Sequence, residues 1–363
     1  MSALQPCEEC GVPRVISDEY LWLNNGDIVQ KRDQRDRIIF SECENLDPLF
    51  RGIEELLGIP IEHIVMDCIR RTYRSYCKLF LPGDINEMVA DKQVDVRSLV
   101  DGFGKLAIPM GVGKFGFVDM RLEGDENDFY TSSISEPNSL LMCAACHCGA
   151  MEAILGYDQW VKYAETAPDI YDLTAYPSPH LETLKGRMKI DRYYHSKGDL
   201  ELKKCATCGG PKELSENHWH LQRGIIVSRT TKRRMAVMGP NQIDPIFREL
   251  ELELGETIPR VVVEAQRRFT RNGFYSMDDY ADADAFRAGL ALRGLGNLKE
   301  LEIKRTGLHM RLENAVLHLM IAGMMQGIFD AALDLDSTVD WELSQGGSLE
   351  IEVKPAMFEV RIP

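Results

Sequence analysis

Two cysteine strings carry the clearest chemistry of this 363-residue chain. They read Cys7-Glu-Glu-Cys10-Gly and Cys205-Ala-Thr-Cys208-Gly. A Cys-x-x-Cys turn forms a knuckle that directs two thiolates to one ion, and the glycine after it allows the tight turn. Each string supplies two of the four ligands that tetrahedral zinc needs, so we interpret each as half of a zinc site.

Two completions of these half-sites are open. Each pair can recruit local ligands such as Cys43, or His218 and His220, or the two pairs can share one ion. The histidines have no counterpart near the first pair, where Tyr20 and Trp22 occupy the equivalent places, so we favour the shared site. A redox pair of the thioredoxin type would lie between a strand and a helix, whereas both strings precede a hairpin. The metal ligands that we predict are Cys7, Cys10, Cys205 and Cys208.

A third cysteine string, "LLMCAACHCG" (140–149), contains the Cys-x-x-Cys-His motif that attaches a c-type haem. Haem is normally attached outside the cytoplasm, and "MSALQPCEEC" at the start of the chain has no secretory signal, so we expect no covalent haem. On a helix, Cys143, Cys146 and His147 lie within about 100° of one another, whereas Cys148 points away. These side chains can bind a ligand or a metal, or they can pack in a core as small apolar groups.

Arginines recur at one spacing in two parts of the chain. Such a run can hold the carboxylate of a ligand, and Arg70 and Arg74 are the candidates for this role beside Cys143. The alternative is a solvated face that is paired with acidic residues, of which the chain has many. The two runs are Arg70, Arg71 and Arg74, and Arg267, Arg268 and Arg271.

These motifs belong to an internal repeat. The segment that starts at Cys7 aligns without a gap with the segment that starts at Cys205, and the likeness continues along both halves. In the second copy, Ile321, Met324 and Met325 stand in the places of Cys143, Cys146 and His147, so the fold itself requires only apolar volume at these three positions. Further matching segments are "LDPLFRGIEELLG" (46–58) with "IDPIFRELELELG" (243–255), "CIRRTYR" (68–74) with "AQRRFTR" (265–271), and "GAMEAILGYD" (149–158) with "GIFDAALDLD" (327–336).

The repeat predicts two homologous α+β domains packed about a pseudo-twofold axis. Each copy reads as a Cys-x-x-Cys hairpin, an amphipathic helix that opens at an Asp-Pro cap, a second helix, a strand pair and a long apolar helix. Two closing strands are clear only in the second copy, so we interpret the proline- and tyrosine-containing stretch after residue 157 as a connection. The boundaries are 1–195 for the first repeat (hairpin 5–40, core 45–157, linker 158–195) and 196–363 for the second (hairpin 203–237, core 242–363).

The core of each copy resembles a known family. "GKFGFVDMRL" (113–122) followed by "NSLLMCAACHCGAMEAILG" (138–156) is similar to the 4-vinyl-reductase-type (4VR) domain, a predicted hydrocarbon-binding module. The resemblance implies an α+β domain with an apolar cavity that holds an aromatic compound or a tetrapyrrole. Many members carry zinc-binding cysteines in their closing strands, but "ELSQGGSLEIEV" (342–353) has none. The Cys-x-x-Cys hairpin lies outside the usual boundary of that domain.

Composition narrows the function. A net charge of −15 argues against a protein whose main partner is nucleic acid or an anionic membrane. The apolar stretches 139–155 and 315–333 carry charged or histidine residues, so we expect core helices and a cytoplasmic protein. No glycine-rich phosphate loop or Gly-x-Ser-x-Gly elbow is present. We therefore expect a zinc-containing, non-catalytic protein that binds a small apolar ligand or other protein subunits, with an enzyme acting on an aromatic or tetrapyrrole compound near Cys143–Cys148 as the alternative.

Overall fold

The fold is mixed α/β, with ten α-helices and three antiparallel sheets among the residues that the structure describes. The structure is a computed structural model, and it describes residues 4–180, 193, 195–274 and 282–356. Below, the first half means the described residues up to 180, and the second half means those from 195 onward.

In the first half, a short helix and three strands precede four helices. Two strands of a second sheet then come before the last helix of the half, and two more follow it. The elements are α1 (Arg14–Glu19), β1 (Tyr20–Trp22), β2 (Ile28–Gln30), β3 (Arg37–Glu42), α2 (Leu46–Leu57), α3 (Glu62–Cys77), α4 (Ile85–Ala90), α5 (Val96–Ala107), β4 (Lys114–Arg121), β5 (Phe129–Ser135), α6 (Leu140–Leu155), β6 (Gln159–Ala167) and β7 (Ile170–Pro177).

The second half follows a similar order within its described residues. The elements are β8 (Asn217–His220), β9 (Ile225–Ser228), β10 (Arg234–Met238), α7 (Asp244–Leu254), α8 (Ile258–Phe269), α9 (Ala283–Leu292), β11 (Asn297–Lys304), β12 (Gly307–Glu313), α10 (His318–Leu333), β13 (Ser337–Leu343) and β14 (Leu349–Pro355).

One sheet joins the two halves. Its order is β1-β2-β3-β10-β9-β8, and its central pair is the antiparallel ladder between β3 and β10, in which Ser41 lies opposite Ala236. The hairpin predicted after each cysteine pair is therefore present, with Ile28 or Ile226 in its second strand, but both hairpins are parts of one six-stranded sheet.

Each half also has its own four-stranded sheet. The orders are β4-β5-β7-β6 and β11-β12-β14-β13. In the first half, the closing strands β6 and β7 occupy residues that we interpreted as the linker 158–195, so that interpretation is wrong for residues 159–177. Pro168 lies in the tight turn between these strands and Pro177 ends β7, positions at which proline removes no central ladder bond. Residues 181–192 and 194 of the interpreted linker lie outside the described residues.

A long helix is buried in each half. The Ser139 side chain accepts a hydrogen bond from the Met142 backbone N–H at the start of α6, and Gly156 ends the helix with a φ of 86°. Twelve of the sixteen residues of α6 are buried, and the same number of α10, which explains why both helices are apolar on most sides instead of amphipathic. The expected Asp-Pro caps are wrong in detail: Asp47 and Asp244 accept hydrogen bonds from backbone N–H groups at the starts of α6 and α10, not from their own helices.

The hairpins cross between the halves. The Trp22 indole N–H donates to the Leu292 carbonyl of the second half at 3.0 Å, and the Trp219 indole N–H donates to the Pro109 carbonyl of the first half at 3.0 Å. Two backbone bonds repeat this exchange, from Phe40 N to Arg293 O at 2.9 Å and from Val237 N to Met110 O at 2.7 Å. Each hairpin therefore donates hydrogen bonds to the loop that precedes the four-stranded sheet of the other half.

Two arginines, one buried and one half-buried, strengthen the crossing. Arg37 on β3 donates to the carbonyls of Gly294 and Asn314 at 2.9 and 2.7 Å. Arg234 on β10 donates to Gly111 O at 3.2 Å and Pro137 O at 3.0 Å. The contact is close enough to require glycine, because a Cβ at Gly26 or Gly224 would lie 2.3 Å from backbone atoms of the other half.

None of the described helices is long and apolar enough to cross a membrane.

Candidate metal centre

Each knuckle is a local structure that its own sequence dictates. The Gly11 N–H donates to the Cys7 carbonyl at 2.8 Å, and the Gly209 N–H donates to the Cys205 carbonyl at 2.9 Å. Both glycines have a φ of 74°, the left-handed region that glycine enters without steric cost. The Cys-x-x-Cys-Gly pattern therefore folds the same turn twice and directs both cysteines of each pair to one side.

The two knuckles meet. The four sulfurs all lie within 4.8 Å of one another, and the closest approaches between knuckles are 3.8 Å from Cys7 to Cys205 and 3.5 Å from Cys10 to Cys208. With a zinc–sulfur bond of about 2.3 Å, the sulfurs of a tetrahedral site lie about 3.8 Å apart. The spacing therefore fits a four-thiolate metal site, and this cluster can hold a metal ion.

The cluster is largely shielded from solvent. Cys7, Cys10 and Cys205 are buried and Cys208 is half-buried. They pack with Ile16, Ile28, Ile226 and other side chains of a second apolar core beneath the six-stranded sheet. A metal ion bound here would join the two hairpins from within their shared core.

Backbone groups prepare one sulfur for metal binding. Burial acts to raise the pKa of Cys7, but backbone N–H groups at Cys10 and Glu9, with neighbouring thiols, outweigh it and lower the pKa to about 7. Burial raises the pKa of Cys10 and of Cys205, so neither thiol ionises readily without a cation. Because a bound cation favours the thiolate form, metal binding at this cluster releases protons.

The four cysteines that the sequence analysis selected are thus brought together. Cys43, His218 and His220, the alternative ligands, are not part of the cluster, and among the described residues it is the one group of three or more Cys, His, Asp or Glu with metal-binding geometry. The His218 and His220 rings stack edge-on at 4.2 Å, and His218 Nδ1 lies 3.1 Å from Arg229 Nη2.

The third cysteine string is the middle of α6. Cys143 and Cys148 are each 1 % exposed, and Cys146 is half-buried. The Cys143 thiol donates to Asn138 Oδ1 at 3.2 Å, and the Cys148 thiol donates to the Gln159 carbonyl at 3.2 Å. Burial raises the pKa of Cys143 to about 12, so this sulfur is a protonated core group.

His147 is also part of the core. Its Nε2 lies 3.3 Å from the Tyr130 carbonyl, which requires the proton on that nitrogen, and burial lowers the pKa of His147 to about 4. The Tyr130 ring lies 6.0 Å from the His147 ring and packs against Phe117. Tyr130 is 1 % exposed and its hydroxyl has no hydrogen-bond partner among the described residues. Sequence reasoning missed Tyr130, because its inward position on β5 depends on which face of the sheet α6 covers.

Arg70 and Arg74, the candidates for a ligand carboxylate, face an internal carboxylate. The Arg70 Nη1 donates to both oxygens of Glu152 at 2.6 Å, and Arg74 Nη1 lies 3.6 Å from the same carboxylate. Arg267 makes the corresponding ion pair with Asp330 at 2.5 Å in the second half. The sequence does contain a sign of this ion pair, because Glu152 is the single acidic residue in an otherwise apolar helix. It pairs with Arg70 and so links α3 to α6.

Two pockets lie away from these residues. A groove of about 520 Å³ runs between α2 and α8 beside Leu56 and Val261, and a smaller pocket of about 180 Å³ lies beside Asp199 and Arg287. Neither is lined by a residue that we predicted to bind a ligand.

Neither a protein-family model nor a curated protein sequence matches this chain.

Proposed function

We propose that this protein is a zinc-containing, non-catalytic binding or assembly protein, built from two copies of one 4VR-like unit that a single shared ion joins. The observation that carries the proposal is the convergence of Cys7, Cys10, Cys205 and Cys208, which lie 198 residues apart in sequence between knuckles. Four sulfur ligands with no oxygen or nitrogen donor are typical of structural zinc, since a catalytic zinc keeps a position for water or substrate.

The crossed hairpins support a structural role for the ion. A metal that fixes the two knuckles also fixes Trp22 and Trp219, which hold the loops before both four-stranded sheets. The elements follow a similar order in the two halves, and this similarity and the sequence repeat both support the duplication. Such an ion can contribute on the order of 10 kcal/mol of folding free energy.

The Tyr130 hydroxyl supports a ligand site in the first half, because it is buried and has no hydrogen-bond partner among the described residues. A buried hydroxyl without a partner costs about 1–3 kcal/mol, and a water molecule or a ligand atom normally satisfies it. The aligned residues of the second half, Leu308 and Met325, replace Tyr130 and His147 with apolar groups. An aromatic or tetrapyrrole ligand with one polar group would therefore bind in the first half only.

The rival function, an enzyme acting on such a compound, needs a nucleophile or an acid–base group at that place. The candidates there are the protonated Cys143 thiol and the neutral His147 ring, whose pKa values are moved away from neutrality in directions that disfavour ionised forms. These environments support binding over catalysis.

Metal analysis tests the central claim. Protein purified without metal-affinity chromatography should contain one zinc ion per chain by elemental analysis. The double variant Cys205→Ser with Cys208→Ser should contain none. Two zinc ions per chain, or another metal at one per chain, would contradict the shared zinc site.

The ligand claim has a separate test. Phenol, p-xylene and protoporphyrin IX would each be added to the zinc-loaded protein and the melting temperature measured, with the variant His147→Met as the comparison. At least one compound should raise the melting temperature of the original protein and not that of the variant. Equal shifts in both proteins, or none in either, would remove the ligand site and leave the assembly role.

A further inference from the structure

Positive charge is concentrated in one short segment of this acidic protein. Residues 203–234 contain eight Lys or Arg and two Asp or Glu, although the whole chain has a net charge of −15. The segment at the same distance from the first cysteine pair, 5–36, contains four basic and seven acidic residues. The basic charge is therefore a property of the second hairpin and not a requirement of the knuckle or the sheet.

Most of these cations are available to a partner. Arg223 pairs with Glu136, Arg233 with Glu42, and Arg234 binds backbone carbonyls. The other five are exposed, and the structure gives them no carboxylate partner within 4.0 Å among the described residues: Lys203, Lys204, Lys212, Arg229 and Lys232.

Three of these cations, Lys212, Arg229 and Lys232, lie beside an open sheet edge. Strand β8 is the last strand of the six-stranded sheet and pairs with β9 alone, so every second residue directs its N–H and C=O away from the sheet. The Arg229 N–H donates to the Glu216 carbonyl at 2.7 Å, which places the β9–β10 turn beside the start of β8. Lys232 Nζ donates to the Arg229 carbonyl at 2.7 Å in that turn, and Lys212 begins the short helical turn that leads into β8.

We propose that the β8 edge and the exposed cations beside it form a docking surface for a short acidic segment of a partner protein, bound in an extended conformation. The strand edge supplies backbone hydrogen bonds in the manner of strand addition, and the cations select Asp- and Glu-rich sequences. The four residues of β8 span about 13 Å at about 3.3 Å per residue, which suits a segment of a few residues.

The same observations disfavour nucleic acid as the partner. Duplex DNA carries a charge every 1.7 Å or so along its axis, and it would extend from this small patch onto the rest of the chain, which is more acidic than the chain as a whole. Single strands bind through exposed aromatic rings, but Trp219 is 8 % exposed and its indole N–H already donates to Pro109.

The test uses a fluorescent decaglutamate peptide and the zinc-loaded full-length protein, with binding followed by fluorescence anisotropy. The variant Lys212→Glu with Arg229→Glu and Lys232→Glu should bind the peptide at least about tenfold more weakly, since three exposed charge pairs at about 0.5 kcal/mol each give that factor. The control Lys78→Glu with Lys92→Glu and Lys105→Glu makes the same charge change on exposed residues of the first half, and it should weaken binding by less than about twofold. An equal loss in both variants would overturn the proposal.

Two further probes act on the unaltered protein and so do not depend on how the variants fold. A decaglutamate that is N-methylated at alternate residues should bind at least about tenfold more weakly, because it cannot pair with a strand edge; equal binding would overturn docking at β8. A ten-residue oligothymidylate should bind more weakly than the peptide at the same salt concentration. Tighter binding of the oligonucleotide would replace the acidic segment with nucleic acid.

Discussion

The chain contains the Cys-x-x-Cys spacing three times, and the structure uses it in two different ways. In the hairpins, glycine at a φ of 74° turns the backbone so that both sulfurs face one point, where the opposite knuckle supplies two more. In α6, Cys143 and Cys146 follow helical geometry, and their neighbours are other core side chains. The comparison teaches that the conformation of the intervening residues, and not the spacing, decides whether the sulfurs converge on one point where an ion can bind.

The two environments also treat sulfur differently. Backbone N–H groups near Cys7 lower its pKa to about 7, whereas at Cys143 burial outweighs the backbone hydrogen bonds at Ser139 and Asn138 and raises the pKa to about 12. A thiolate is needed to bind a metal ion, so the environment of Cys7 prepares that sulfur for metal binding, whereas Cys143 stays a protonated thiol.

The largest effect should come from breaking the shared cluster. Changing Cys205→Ser with Cys208→Ser should lower the bound zinc from one ion per chain to none and reduce the free energy of unfolding by on the order of 10 kcal/mol. Elemental analysis and calorimetric melting measure the two quantities. The matched change Cys143→Ala with Cys146→Ala should leave the zinc content at one. If this helix variant loses the metal and the knuckle variant keeps it, the comparison is reversed.

A smaller but substantial effect should come from breaking the ion pair between Glu152 on α6 and Arg70 on α3. Glu152→Gln should reduce the free energy of unfolding by about 3 kcal/mol, because it removes the buried one of the two carboxylates that pair with the Arg70 guanidinium and leaves Asp67 as the other. Urea denaturation measures this difference, with the exposed Glu55→Gln as the control.

The same residue gives a pH dependence. Burial acts to raise the pKa of Glu152, but His180 and Arg70 outweigh it and hold the pKa below its ordinary value. A depressed carboxyl pKa contributes stability that is present above the unfolded value, about 4.3, and is lost as the pH falls through the folded value. The difference in stability between the original protein and Glu152→Gln should therefore shrink in acid; a difference that grows as the pH falls would contradict this assignment.

Tyr130→Phe should have a modest effect of the opposite sign. Removing a buried hydroxyl that has no partner among the described residues should raise the free energy of unfolding by about 1 kcal/mol in protein that carries no ligand. Thermal melting of ligand-free protein checks the sign. A loss of stability would mean that the hydroxyl has a partner, such as a bound water molecule.

The smallest effect should come from His147→Met, which places the residue of the second half at the equivalent position of the first. A buried neutral side chain replaced by one of similar volume should change the free energy of unfolding by less than about 1.5 kcal/mol, with unchanged zinc content. Loss of the metal in this variant would mean that His147 on α6 takes part in binding it.

Much of the local structure followed from the sequence. The glycine after each cysteine pair, the helical spacing of Leu49, Phe50 and Ile53, and the apolar length of α6 are short-range features, and the structure has a knuckle or a helix at each. The failure at residues 159–177 has a short-range cause as well. Val161, Tyr163 and Leu173 alternate as a strand pair should, but we gave more weight to Pro168 and Pro177, which in the structure occupy the turn and the strand end.

The sequence by itself determined the turns, the helices and the residue types of the metal cluster, because each depends on contacts within a few positions of the chain. The tertiary structure decided which groups meet. Cys7 reaches Cys205, Trp22 reaches Leu292, and Arg70 takes Glu152 instead of a ligand, because these distances depend on how whole elements pack. Packing also decided that the two hairpins join in one sheet and that their four cysteines meet.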